Sequence, residues 1–246
     1  MDYGIALLPF LFFLVALLYA CVGHAGASGY LAIMALIGIA PITMKPTALA
    51  LNILVAIIAS FKFYRVGAFS KKIFLPLIIT SIPCAYIGGL ITLPGYIYKP
   101  LIGVVLIYSA IQSFYTSQQQ VLVNPIDIKR TYLLLAGAAL GFLSGLSGVG
   151  GGIFLSPLLL FIRAEQPKVI SGIAAAFILV NSISGLMGAV AKGAALPPTF
   201  FYWAIAVVIG GYIGAEIGSK KLSNPMILKV LAIVLAAAGI KMLLTL

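Results

Sequence analysis

Two short glycine-rich stretches interrupt the apolar segments of this chain at matching points of its two halves. Glycine stands at positions 23, 26 and 29 and again 122 residues later at 145, 148 and 151, so both stretches have a G-x-x-G-x-x-G spacing. In hydrocarbon, a non-helical backbone is tolerated only inside protein or against a water-filled cavity. Apolar segments broken by glycine at corresponding points of two halves are typical of the substrate site of a secondary transporter.

The composition indicates a membrane protein. Of the 246 residues, 63% are hydrophobic and 8% are charged, whereas about a quarter of the residues of a soluble domain are charged. Apolar segments recur along the whole chain, which predicts an all-α polytopic protein, multi-pass in the cell (inner) membrane. The net charge of +11 does not indicate nucleic-acid binding, because the basic residues lie in the short connections between apolar segments.

The apolar segments divide into two halves of five. They cover approximately 5–22, 30–40, 46–63, 73–93, 100–116, 131–146, 153–162, 168–190, 200–219 and 226–245. A helix needs about 20 residues to cross the hydrocarbon core, so 30–40 and 153–162 are too short to cross alone. We therefore predict two repeats, 1–116 and 131–246, joined by a polar cytoplasmic linker, 117–130. Each repeat contains a glycine-broken re-entrant helix pair and three spanning helices.

Further features recur in the same order in both halves. Pro46 and Pro167 are predicted to begin the helices that follow the breaks. In the next helix, Tyr86-Ile-Gly88 of the first half parallels Tyr212-Ile-Gly214 of the second. Several matches in order indicate an internal duplication.

The basic residues discriminate between two orientations of the halves. If each broken pair returns to the side from which it came, the halves are inverted and 11 basic residues fall on the cytoplasmic side against 4 outside. The four outside are Lys45, Lys99, Lys192 and Lys241. If each pair crosses once, the halves are parallel and the division is 8 against 7. The positive-inside bias favours inverted-topology repeats with both termini outside.

The glycine breaks are the predicted substrate site. Each precedes a short helix, expected to start near Tyr30 or Ile153, whose first N–H groups and positive dipole end can bind an anion without a charged side chain. Close helix packing through small residues is the alternative explanation of the glycines. The candidate substrate-binding residues are His24, Gly26, Ser28, Gly29, Asn52, Ser147, Gly148, Gly150, Gly151 and Gly152.

The two breaks differ in their polar groups. In the 122-residue register, His24 faces Leu146 and Ser28 faces Gly150. His24 is the one histidine of the chain. It either carries a proton or binds an anion when charged, or it is a neutral ring bonded to a carbonyl group freed by the break. Asn52 either lines the substrate cavity or links helices through a hydrogen bond.

Glu216 is the acidic residue that lies deep in an apolar segment. Two explanations are open: an ion pair with Lys220, four residues on in the same helix, or a role with His24 in proton or cation coupling. The glycines at 210, 214 and 218 of that helix predict a packing face.

The sequence lacks the side chains of a catalytic or metal site. Paired carboxylates and a His/Asp/Glu cluster are absent, so we predict no enzyme, no catalytic residue, no metal and no cofactor. Cys21 and Cys84 are expected to be buried hydrophobic thiols. A thiol enzyme using both cysteines and His24 is the enzymatic alternative.

The second glycine stretch continues as Gly148-Val-Gly-Gly-Gly-Ile-Phe-Leu-Ser-Pro157. This run is close to the G-x-G-G-G-x-x-x-x-P signature of the TauE/SafE sulfite exporter family of membrane permeases, which the chain resembles over nearly its whole length. The first half departs from the signature, because Gly26-Ala-Ser-Gly-Tyr30 keeps two of the glycines and has no matching proline. The following helices also depart, with Leu51-Asn52 and Ile173-Ala174 where the family often has Thr-Ser.

The resemblance implies a secondary transporter of small sulfur-containing anions: sulfite, thiosulfate or organosulfonates such as sulfoacetate. We expect the substrate at the midplane between the breaks, with alternating access between the repeats. The alternatives are a related permease for another small anion, such as a carboxylate, and a non-transporting membrane scaffold. The expected partners are the anion and the lipid bilayer, with a coupling proton or cation and a second copy of the chain as further candidates, and no nucleic acid.

Overall fold

The computed structural model describes residues 2–116, 126, 128–220 and 225–244. Every regular element in these residues is an α-helix, and each half contributes five. In chain order they are α1 (Asp2–Ala20), α2 (Ala27–Ile37), α3 (Pro41–Arg65), α4 (Lys71–Leu90), α5 (Gly95–Thr116), α6 (Arg130–Ser147), α7 (Gly152–Phe161), α8 (Pro167–Ala191), α9 (Phe200–Lys220) and α10 (Pro225–Leu244). Most of the predicted linker, 117–130, lies outside the described residues.

Each helix overlaps one of the ten apolar segments of the sequence, and α2, α3 and α5 begin three to five residues before the predicted starts. Within the described residues, α3, α4, α6, α8 and α9 are long and apolar enough to cross a membrane. By contrast, α2 and α7 have 11 and 10 residues, about half of what a crossing requires. The prediction of an all-helical, multi-pass membrane protein is therefore confirmed.

Proline begins both helices that follow the breaks, although in the first half it is not the predicted residue. α3 begins at Pro41 and α8 at Pro167. Proline suits the first turn of a helix, because the N–H group that it lacks would have no partner there. Pro46 lies inside α3, so the prediction that it begins this helix was wrong.

The first broken pair, α1 and α2, folds back on itself. The hydroxyls of Ser28 and Tyr19 hydrogen-bond at 2.8 Å, and the rings of Tyr30 and Phe12 pack edge to face with centroids 5.3 Å apart. The later residue of α2 therefore contacts the earlier residue of α1, so the two helices are antiparallel. Phe12 also packs edge to face on Trp203 of α9, which attaches this hairpin to the second half.

The second broken pair, α6 and α7, returns in the same way. The N–H group of Ile126, which precedes α6, donates to the carbonyl oxygen of Arg163, which follows α7, at 2.9 Å. The end of α7 therefore lies beside the beginning of α6. Both pairs have the hairpin geometry that a re-entrant segment requires, with a glycine break at the tip.

A row of glycines joins α9 to α1. A Cβ atom on Gly210, Gly214 or Gly218 would lie 2.1–2.3 Å from a carbonyl oxygen of α1 or of Cys21 directly after it, closer than any side chain fits. These oxygens advance from Phe13 to Cys21 as the glycines advance, so the two helices run parallel. The predicted packing face of α9 is confirmed. Such close approach is how small residues hold membrane helices together.

A second row of glycines joins α6 to α4. A Cβ atom on Gly137, Gly141 or Gly145 would lie 2.0–2.3 Å from a carbonyl oxygen in the stretch from Leu77 to Ala85, and these helices also run parallel. Gly145 therefore packs inside α6 and is not part of the break. The two rows attach the first helix of each half to the fourth helix of the other half.

The last helices of the two halves, α5 and α10, pack against each other in opposite directions. Gly103 of α5 approaches Leu243 near the end of α10, whereas Gly239, one turn earlier, lies against Ile107. α3 and α8 also pack on each other. Contact between equivalent helices is what a two-fold relation between the halves requires. The orientation of the halves in the membrane stays a prediction.

Candidate functional site

The second break separates α6 from α7. Gly148 ends α6 with φ 84°, and Gly151 caps α7 with φ 78°. These left-handed angles favour glycine, which has no Cβ atom. The Ser147 hydroxyl donates to the carbonyl of Leu143 at 2.6 Å and accepts from the N–H of Val149 at 3.3 Å, so its hydrogen bonds stabilise the end of α6.

The first break corresponds to the second in a register that the sequence did not predict. Gly26, with φ 98°, is the N-cap of α2 as Gly151 is of α7. The two N-caps are 125 residues apart, and the first residues of α3 and α8 are 126 apart. His24 therefore corresponds to Val149 and not to Leu146.

The tips of the two breaks touch equivalent helices. A Cβ atom on Gly23 would lie 2.6 Å from Ser171 in the first turns of α8, and one on Gly148 would lie 3.2 Å from Lys45 in the first turns of α3. The two glycines are 125 residues apart, and Ser171 lies 126 residues after Lys45. Each hairpin tip thus packs on a long helix of the opposite half.

His24 links the first break to the second. Its Nε2 lies 3.2 Å from the carbonyl oxygen of Gly152 and 3.2 Å from the hydroxyl of Ser156, both in α7. Its Nδ1 lies 3.3 Å from the carbonyl oxygen of Val22. A neutral imidazole has one N–H group and can donate to one of these carbonyls, whereas a protonated ring donates to both. A neutral ring also finds partners, because its Nδ1–H can donate to Val22 while Nε2 accepts from the Ser156 hydroxyl, so the contacts suit both protonation states.

Asn52 reaches the second break from α3. Its Nδ2 donates to the carbonyl of Val149 at 3.2 Å and to the hydroxyl of Ser182 at 3.4 Å. The amide packs directly on glycine backbone, since a Cβ atom on Gly150 would lie 2.5 Å from Nδ2. The Oδ1 atom is buried and has no partner among the described residues. A buried acceptor without a donor costs free energy, so this oxygen calls for a water or a ligand donor.

The convergence of these groups defines the candidate functional site, which we name the central site. It consists of His24, Asn52, Ser156, Ser182 and the segment 149–152. Ser156 was not a candidate from the sequence. Ser156 follows Gly152 by four residues and so lies on the same face of α7, which is the signal that would have identified it.

Ser28 and Gly29 do not lie at the central site. Both are in the first turn of α2 and face α1: Ser28 bonds Tyr19, and a Cβ atom on Gly29 would lie 2.6 Å from Val15. Gly26 packs beneath the ring of Tyr30, 2.9 Å from where its Cβ atom would stand. The structure brings His24 and Asn52 to the second break, whereas Gly26, Ser28 and Gly29 lie beside α1.

Glu216 is ion-paired near the end of α9. Its carboxylate contacts both Lys220, as the helix-pair explanation predicts, and Lys62 of α3. The Lys62 ammonium also lies over the ring of Tyr212, 4.2 Å from the centroid. Lys62 follows Asn52 by ten residues of α3, about 15 Å along the helix. Glu216 therefore ties α3 to α9 at a distance from the central site.

Candidate ligands for a metal ion do not cluster in the part of the chain that the structure describes, where no three His, Cys, Asp or Glu side chains come together. Cys21 and Cys84 are free thiols, the first buried and the second half-buried. The polar groups of the central site are amides, hydroxyls, one imidazole and glycine backbone.

Glycine-broken hairpins around a buried polar site, in a bundle with helices long and apolar enough to cross a membrane, are typical of the class of membrane transporters. Comparison with known proteins gives the family. The chain belongs to the TauE/SafE sulfite exporter family, whose model, described as "Sulfite exporter TauE/SafE", matches residues 8–242. The protein is therefore a membrane transporter.

Curated relatives agree with this assignment. A probable membrane transporter protein of Sinorhizobium fredii is 41% identical over 235 residues, which cover 94% of this chain and 95% of the relative. A probable membrane transporter protein of Methanocaldococcus jannaschii is 26% identical over 201 residues, covering 77% of this chain and 74% of the relative. No solved structure matches the chain.

Proposed function

We propose that the protein is a secondary transporter of small sulfur-containing anions and that the central site holds the substrate. Sulfite, thiosulfate and organosulfonates such as sulfoacetate are the candidate substrates. One observation carries the proposal: His24 and Asn52, from different segments of the first half, meet the glycine backbone at the start of α7. The description of the matching family as sulfite exporters supports the sulfur chemistry.

The chemistry of the central site suits a compact oxyanion. The first N–H groups of α7 have no partner within that helix, and they lie at its positive dipole end. The Ser156 hydroxyl and a protonated His24 add donors around the same segment, and the Asn52 amide becomes a further donor when it leaves Val149 or Ser182. These groups replace part of the hydration of an oxyanion, and they hold it less strongly than a bidentate arginine would, which permits release.

Transport by alternating access requires one half of the molecule to move against the other. Asn52 lies on α3 and Ser182 on α8, so their hydrogen bond crosses between the halves at the central site. Movement at this contact would change the donors that surround the anion. His24 is the first candidate for proton coupling, because its ring nitrogens have partners for both the neutral and the charged form and lie at the central site. Glu216 is the second candidate, although two lysines neutralise it.

The test is thermal unfolding of the purified protein with a panel of anions. Asn52→Ala removes the amide that contacts the second break, and Asn181→Ala is the matched control, because Asn181 Nδ2 donates to Phe177 of its own helix at 2.8 Å. Binding to the folded state raises the unfolding temperature by mass action. We expect sulfur anions to stabilise the wild type, and Asn52→Ala to weaken their binding by about tenfold while Asn181→Ala binds normally.

Each other outcome of this test contradicts a defined part of the proposal. Equal stabilisation of the wild type and Asn52→Ala would place the anion elsewhere. Stabilisation by carboxylates alone would favour the permease for another anion. If no anion binds the folded protein and none crosses the membrane of liposomes that contain it, the alternative of a non-transporting membrane scaffold is favoured. If His24 is the proton carrier, affinity in the wild type falls as the pH rises through the titration of histidine, and this dependence is absent in His24→Gln.

A further inference from the structure

A small cavity lies at the end of the molecule opposite the Lys62–Glu216 pair. It has a volume of about 70 Å³ and is formed where α3 and α5 begin and where α4 and α8 end. Its polar side chains are those of Lys45, Thr92, Tyr98 and Lys192. A cavity of this size holds several waters or one compact oxyanion. We name it the outer cavity.

Lys45 is the buried cation of the outer cavity. Its side chain is 9% exposed, and its Nζ donates to the carbonyl oxygens of Gly88, Gly89 and Ile91 at 3.0–3.1 Å. α4 ends at Leu90, so the ammonium binds carbonyl groups at the negative dipole end of the helix and just beyond it. All three partners are neutral. These carbonyls solvate the ammonium without neutralising it, and a buried cation of this kind in a membrane protein is a mark of function.

The outer cavity borders the second break. The main chain of Lys45 lies 3.2 Å from where a Cβ atom on Gly148 would stand, and the Tyr98 hydroxyl donates to the carbonyl of Ser147 at 2.9 Å. Along α3, Lys45 precedes Asn52 by seven residues, which is about two turns or 10 Å. An anion in the outer cavity is therefore next to the break that forms the central site.

We propose that the outer cavity is an anion-docking site in which Lys45 binds the transported anion on its way to or from the central site. The bond to Ile91 is the most exposed of the three lysine bonds, and Ile91 lines the cavity, so this carbonyl is the one that an anion replaces. The exchange is favourable because an ionised acceptor forms a stronger bond to an ammonium than a neutral carbonyl does. Lys192, exposed at the same cavity, adds a second positive charge. The inference rests on the proposed transport of anions.

The test separates the charge of Lys45 from its capping of α4. Lys45→Gln removes the charge and keeps an N–H₂ group for the α4 carbonyls, whereas Lys45→Arg keeps the charge. Lys99→Gln is the matched control, since Lys99 lies in α5 at the same end and does not line the cavity. We expect Lys45→Gln to raise KM for sulfite or thiosulfate uptake into liposomes by about tenfold, with kcat within about twofold. Lys45→Arg and Lys99→Gln should resemble the wild type, and added salt should reduce the difference.

The outcomes of this test distinguish failure of the docking site from failure of the proposed substrate. A normal KM in Lys45→Gln would show that Lys45 only caps α4, and it would overturn the docking site. If Lys45→Gln does not fold, Lys192→Gln serves instead: it should raise KM with kcat unchanged, and an unchanged KM would overturn the docking site. If no sulfur anion is bound or transported by the wild type, the proposed substrate fails. Stabilisation by chloride or carboxylates that Lys45→Gln abolishes would still support the cavity as an anion site.

Discussion

Gly150 occupies a position where both its backbone and its surroundings exclude a side chain. Its φ angle is +82°, and a Cβ atom would lie 2.5 Å from Asn52 Nδ2 and 3.0 Å from Ser182 Oγ. The same two side chains contact each other across the halves. A methyl group at Gly150 would therefore displace the polar groups of the central site as well as strain the chain.

This arrangement predicts that Gly150→Ala weakens anion binding. Gly67→Ala is the matched control, because Gly67 has φ +72° and no heavy atom within 4 Å of its Cβ position. Each variant should lose about 1–2 kcal/mol from left-handed strain, seen as a lower unfolding temperature. Only Gly150→Ala should also lose stabilisation by anions in the same thermal assay. Normal anion binding by Gly150→Ala would remove this glycine from the site.

Single residues also show why the pattern of glycines was ambiguous. Gly145 and Gly148 are three residues apart, yet the first packs in α6 against Ala85 and the second ends that helix with a left-handed angle. Close packing and unusual backbone angles both require glycine, for independent reasons. Spacing alone cannot separate the two causes, so the sequence predicted a 122-residue register where the helix caps give 125.

At the scale of elements, the re-entrant hairpins are held by backbone contact with long helices. Lipid tails are as apolar as leucine side chains, so apolar burial does not drive membrane helices together. The rows of glycine on α9 and α6 instead let main chains touch. They attach α1 to α9 and α6 to α4, so each hairpin is joined to a long helix of the opposite half.

Gly141→Leu should separate α6 from α4. A Cβ atom at Gly141 would lie 2.3 Å from the carbonyl oxygen of Ser81, and overpacking of such a contact costs about 1–3 kcal/mol or more. Ala139→Leu is the control, because Ala139 is in the same helix and exposed. In detergent, the unfolding temperature should fall for Gly141→Leu and change little for Ala139→Leu. Equal effects of the two substitutions would show that the glycine row does not hold the helices.

Across the whole molecule, the two ends differ in their charged groups. One end has the outer cavity with Lys45 and Lys192. The other end has the Lys62–Glu216 pair and a larger cavity of about 560 Å³, lined by Lys71, Lys72, Arg130 and Glu165 among others. The positive-inside rule predicts that this second end is cytoplasmic.

The inverted topology therefore predicts that the turns after α3 and α8 face opposite sides of the membrane. Gly67 and Gly193 lie in these turns, and nothing stands within 4 Å of their Cβ positions. In a variant without Cys21 and Cys84, Gly193→Cys should react with a membrane-impermeant thiol reagent in intact cells. Gly67→Cys should react only after the cells are opened. Labelling of both cysteines from the outside would overturn the predicted topology.

The sequence by itself determined the helices and the places where they break. Hydrocarbon forces each segment to satisfy its own backbone hydrogen bonds, so segment length, apolar content, proline and glycine carry that information locally. Only the tertiary structure decided which polar groups meet. His24 lies 128 residues from Gly152, Asn52 lies 97 residues from Val149, and Lys45 lies more than 40 residues from the carbonyls that it caps. These partners depend on how helices of different segments pack, and spacing along the chain does not record that packing.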